Sequence, residues 1–269
     1  MTDGRFANLE FEDGDERRPP APGETGHEAP RFVKEDRDAA HYLEKALAED
    51  LAGDHEKALR SYSAALGENP LLIDAWVGQL RMLLDLDELP ETRLWADKAL
   101  EKFPDNPSLL AMKSVALFRM GNQREARELN DAALARKGET PAVWLCRGEI
   151  MLGEERAAAD ECFQRAIGLA AQKDIARMRA GALYHRYGKY GKALSMLQDA
   201  AAGLPTSARL WYLTGLAQEA LGMDTQARTS YREALGLNPL NEVYRTAVRR
   251  PRKSFVQAVM GFIGKVIGR

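Results

Sequence analysis

Only two cysteines, Cys146 and Cys162, occur in 269 residues, and they are not spaced as a CxxC pair. That excludes a disulfide-built scaffold and makes a reducing compartment the expectation. No run of eighteen apolar residues exists, so no segment reads as a membrane-spanning helix. The opening stretch, MTDGRFANLEFEDGDERRPPAPGETGHEAP, offers nothing suited to a secretory signal. A cytoplasmic chain is expected. Neither sign of charge dominates: 38 Lys and Arg stand against 40 Asp and Glu. Catalytic signatures are missing as well, with no GxxxxGK[ST], HExxH, GxSxG or GxGxxG anywhere. The histidines His27, His41, His55 and His185 are scattered, and none pairs with a cysteine at ligand spacing. No enzyme activity, cofactor or metal site is expected, and both cysteines read as small buried hydrophobes.

What the chain has instead is repetition. One column reads Ala65, Ala99, Ala133, Ala166, Ala200 and Ala234, spaced by 34 residues with a single interval of 33. Seven residues earlier stand Ala58, Thr92, Ala126, Ala159, Ala193 and Ala227. Pro70, Pro104, Pro205 and Pro239 close units, and Gly53, Gly121, Gly188 and Gly222 fall mid-unit at one phase. The pattern predicts two helices of about thirteen residues per unit, broken at the glycine and ended near the proline. Alanine is required where two helices cross closely, since a longer side chain would part the backbones. No unit can bury its apolar stripe alone, so neighbours must stack. YGKYGKA (187–193), which mimics a phosphate loop, then falls on an inter-helix turn.

By these residues the chain resembles the tetratricopeptide repeat family, over residues 39–241. The family's Trp-Leu-Gly-Tyr signature is partly present, as Trp144 with Gly148, Gly181 with Tyr184, and Trp211 with Gly215. The resemblance implies an all-α, right-handed superhelical solenoid of six helix-turn-helix repeats, at about 39–72, 73–106, 107–140, 141–173, 174–207 and 208–241. Leu80 and Ser114 depart from the family's small residue, and one residue is missing near 153–155, where a shortened turn is expected. Residues 242–250 read as a capping helix, interrupted by Pro251.

In this family the first helix of each unit lines the concave face, which implies a binding groove. Met112, Val115 and Phe118 are expected to face it, preceded by Val77, Arg81 and Leu84 and followed by Leu145 and Glu149. Met178, Arg179, Arg186 and Tyr212 continue it. Such an apolar trough, with arginines toward its C-terminal half, suits an amphipathic helix or an extended apolar peptide of some acidic character. The same side chains could instead pack against adjoining helices. A carboxylate clamp of the chaperone-tail-binding kind is absent, because its positions hold Leu43, Leu47, Gly78, Ser108 and Met112.

The two ends differ from the middle. Residues 1–38 carry eleven acidic and six basic residues with clustered prolines, and read as a disordered acidic arm. At the other end, residues 251–269 form a basic amphipathic helix when placed at 100° per residue. Phe255, Val259, Phe262, Ile263, Val266 and Ile267 share its apolar arc, and Arg249, Arg250, Arg252 and Lys253 make a basic block beside it. Three glycines, each costing about 1 kcal/mol of helix stability, make that helix conditional on an apolar surface. An anionic membrane, a partner protein and the chain's own solenoid are the surfaces that fit it. Nucleic acid does not, because the apolar half would stay exposed on a phosphate backbone. The reading is a non-catalytic scaffold or adaptor that binds a protein or peptide, localised to a membrane surface or a larger assembly by its C-terminal helix. A chaperone for an apolar client segment and a self-associating structural protein are the alternatives.

Overall fold

The computed structural model describes residues 39–136 and 138–250. The acidic arm and the basic amphipathic tail lie outside them. Among the described residues there are thirteen helices and no strand. The chain divides into two compact units, Met1–Ala170 and Ala171–Arg269.

The first unit holds four helix pairs: α1 (Ala39–Ala52) with α2 (His55–Glu68), α3 (Ile73–Asp85) with α4 (Leu89–Lys102), α5 (Pro107–Arg119) with α6 (Gln123–Ala135), and α7 (Pro141–Gly153) with α8 (Ala159–Leu169). Each pair packs on the next, α2 on α3, α4 on α5 and α6 on α7, while the first helices of successive pairs also meet. The second unit repeats the plan with α9 (Lys173–Arg186) and α10 (Tyr190–Ala201), then α11 (Ala208–Ala220) and α12 (Asp224–Leu237). Helix α13 (Glu242–Arg249) packs on α12. Each unit is an all-α solenoid of helix-turn-helix repeats.

The alanine columns lie where helices touch. Ala65, Ala99, Ala166, Ala200 and Ala234 are wholly buried, as are Ala58, Thr92, Ala126 and Ala193. Close approach is seen most directly at the signature glycines. A Cβ at Gly148 would stand 2.4 Å from Phe163 Cε1, and one at Gly215 would stand 2.4 Å from Tyr231 Cε1. The two departures from that pattern are compensated sixteen residues later. Leu80 is matched by Ala96 where four other units carry an aromatic or leucine, and both are fully buried. Ser114 is matched by Asn130, whose amide Nδ2 donates to Ser114 Oγ at 3.2 Å in the interior. Large against small, or polar against polar, keeps the volume and the hydrogen bonding closed.

The repeat-ending prolines contribute a carbonyl. Trp76 Nε1 donates to Pro70 O at 2.9 Å and Trp211 Nε1 to Pro205 O at 3.0 Å. Arg245 occupies the same phase and donates to Pro239 O at 3.0 Å. Asn106, Thr140, Ser207 and Asn241 cap α5, α7, α11 and α13 by accepting first-turn backbone N–H groups. The mid-unit turn is left-handed whether or not glycine is present: Gly53 and Gly121 have φ of 79° and 91°, and Asp87 and Glu155 have 62° and 56°. Glu155 thus keeps the phase, and α8 starts only at Ala159. The missing residue is therefore taken from the start of the second helix, just after the turn expected to shorten.

Candidate functional site

The first helices carry the candidate groove residues, and the structure separates them into filled and open positions. In the first unit Leu84, Met112, Val115 and Leu145 are buried, Val115 completely. Val77 and Phe118 are half-buried and pack against the same core. A helix that is apolar all round, as α5 is, has been covered by its neighbours on the sides that face them.

The charged candidates of this unit have partners within the chain. Arg81 Nη2 lies 3.3 Å from Asp50 Oδ2 and donates to Tyr62 Oη at 2.9 Å, so α3 is tied to α1 and α2. Asp50 is wholly buried. Glu149 is bound by Arg119, whose Nε donates to Glu149 Oε1 at 2.7 Å. Arg119 Nη1 reaches back to Leu84 O at 2.6 Å and to Asp87 Oδ1 at 3.4 Å. One guanidinium therefore joins the ends of α3 and α5 to α7. Further out, Lys113 pairs with Asp97 at 2.6 Å and Arg147 with Asp131 at 2.7 Å, a second-helix acid gripped by the next first helix in both cases. Cys146, beside this network, has its thiol pushed up strongly by burial and by Glu149. It is not a nucleophile's environment.

In the second unit Met178 is wholly buried, and Ser207 Oγ lies 3.8 Å from its sulfur. Arg179 and Tyr212 are half-buried, while Arg186 is exposed. The Tyr212 ring stands between Tyr231 and Tyr244, with centroids 5.8 and 4.9 Å away. Burial raises the pKa of its hydroxyl, and Arg250 opposes the shift. Tyr231 Oη donates to Glu219 Oε2 at 2.6 Å, and Arg250 Nη1 lies 3.3 Å from the same oxygen. Arg250, expected in the basic block, is thus tied to the solenoid, and both it and Arg249 are exposed. Arg209, which the sequence reading passed over, is buried on α11. His185 is half-buried at the end of α9, and burial lowers its pKa.

A model of the tetratricopeptide repeat family matches residues 43–107 and 183–242. The chain belongs to the tetratricopeptide repeat family. Proteins of this family bind protein or peptide partners and are generally non-catalytic. Among solved structures, the Cut9–Hcn1 hetero-tetramer of the APC/C aligns at 17% identity over 81% of this chain and 43% of that one, with a TM-score of 0.48. This tetratricopeptide repeat protein spans less than half of that relative. PilW, described as a type IV pilus biogenesis factor, aligns at 19% identity over 78% of this chain and 98% of its own, with a TM-score of 0.47. YrrB, described as having an unusual peptide-binding site, aligns at 20% over 70% and 98%, with a TM-score of 0.42. Among curated protein sequences there is no significant match. No helix among the described residues is long and apolar enough to cross a membrane.

Proposed function

We propose that this tetratricopeptide repeat protein is a non-catalytic scaffold that binds an acidic, amphipathic peptide on the first-helix face of its second unit, and that residues 251–269 localise it to an anionic membrane surface. The exposed Arg186 carries the peptide reading, with half-buried Arg179 and Tyr212 on the same set of helices. In the first unit the corresponding candidates Met112 and Val115 are buried. Exposed positive charge and tyrosine on first helices of one unit suit a carboxylate-bearing helix.

Two experiments test it. Co-purification with the full chain and with Arg186→Glu should differ by loss of a partner, and identical partner sets would overturn the peptide reading. For the tail, the full chain should sediment with vesicles containing phosphatidylserine at low salt, and Phe262→Asp or Ile263→Asp should abolish this. A chain that stays in the supernatant with such vesicles removes the membrane reading. Gln257→Asp, on the opposite arc, should leave sedimentation unchanged.

A further inference from the structure

Three helix ends of the first unit meet at one point. Asp50 stands near the end of α1, His55 opens α2 and Asp85 ends α3. Each offers one ligand atom, and these atoms all lie within 4.8 Å of one another. Asp50 is buried, and His55 and Asp85 are partly covered, so the group is a recessed cluster and not a set of solvated surface charges.

We propose that Asp50, His55 and Asp85 form a site for one divalent transition-metal ion of the zinc and nickel class. The donor set decides the class. One imidazole nitrogen with two carboxylate oxygens suits zinc, nickel or cobalt, whereas calcium and magnesium favour oxygen alone. Tetrahedral ligands at about 2.05 Å from a metal lie about 3.3 Å apart, so closing from 4.8 Å requires small side-chain movements only. Three protein ligands leave a further position for water.

Charge points the same way. Arg81 Nη2 at 3.3 Å from Asp50 Oδ2 supplies one positive charge against two carboxylates. A carboxylate has two oxygens, so Asp50 can accept from Arg81 and ligate together. The ion would fasten the α1–α2 turn to the end of α3, locking the first repeat to the second.

The test uses the tag-free full chain, stripped with chelator and titrated separately with Zn2+, Ni2+ and Mg2+. Zn2+ or Ni2+ should bind at one ion per chain and raise the melting midpoint by about 5–10 °C at a hundredfold excess over Kd. Mg2+ should do neither. His55→Ala should lose both the ion and the shift. Asp85→Asn, which keeps the shape of the side chain, should weaken binding at least tenfold and serves if His55→Ala folds poorly. Bound Co2+ gives a visible absorption band that should vanish in the same variants. A chain with no saturable shift overturns the site. Equal binding by wild type and His55→Ala overturns it too, since the ion would then sit on other side chains.

Discussion

The Arg119 guanidinium and the Glu149 carboxylate form an ion pair with both side chains inside the protein, Nε at 2.7 Å and Nη2 at 2.6 Å from the same oxygen. Only 8% of the arginine side chain and 4% of the glutamate side chain are exposed. Removing Glu149 takes from Arg119 the buried carboxylate that balances its charge. Glu149→Leu should therefore cost about 3–5 kcal/mol, and Arg119→Met together with Glu149→Leu should recover most of that. Urea unfolding followed by tryptophan fluorescence checks it, since Trp76, Trp95 and Trp144 all report on the first unit. A double variant no better than the single would mean that the bond to Leu84 O dominates.

A volume swap gives the second expectation. Phe163→Ala should cost about 3–5 kcal/mol through the cavity it opens. Gly148→Leu alone should cost at least about 1–3 kcal/mol, because its side chain meets Phe163. Combined, they reproduce the Leu80 and Ala96 arrangement, and the pair should be at least about 1 kcal/mol more stable than the sum of the singles. Strict additivity would show that the two positions do not share one space.

Burial of Cys146 raises its thiol pKa, Glu149 raises it further, and Arg119 opposes them. The folded thiol thus keeps its proton after the unfolded one has lost it. Stability is intact below the ordinary thiol range, near pH 8.5, and declines as pH climbs above it. Cys162 shifts in the same direction, chiefly by burial. Ellman's reagent at pH 8 should react slowly with native protein and at once in urea. Rapid labelling of both thiols in the folded state would contradict the packing described.

His185 has the opposite sense. Burial lowers its pKa, while a hydrogen bond to the Leu216 backbone pushes it up by less. The unfolded chain takes the proton first, so stability is present above pH 6.5 or so and falls as pH drops below that. The proton NMR titration of the His185 ring should show a midpoint below that of a free histidine. His185→Gln should flatten the acid limb of the second unit's stability profile, and an unchanged limb would assign it to other groups.

The fold was legible because alanine must recur wherever two helices cross, and Ala65 through Ala234 mark that crossing in every unit. The site was less so. Facing on α5 could not be read from periodicity, since Leu109, Leu110, Met112, Val115 and Leu117 leave few polar residues to mark an outer side. Arg81 and Glu149 looked available as sequence because their partners, Asp50 and Arg119, stand 31 and 30 residues away without any motif linking them. Leu80 and Ser114 looked like defects until Ala96 and Asn130 were set opposite them. Asp50, His55 and Asp85 converge only after three helices have stacked, so spacing alone could not show them together.

The left-handed turn at Asp87 and Glu155 bears on how such a chain can change. What every unit inherits there is a backbone shape, and the residue that adopts it is open to exchange at a cost of about 1–2 kcal/mol. Where glycine stands the corner is mute. Where aspartate stands, as at Asp87, the corner holds out a carboxylate toward Arg119. A structural hinge point of each repeat is thereby also a place where new chemistry can enter without disturbing the stack around it.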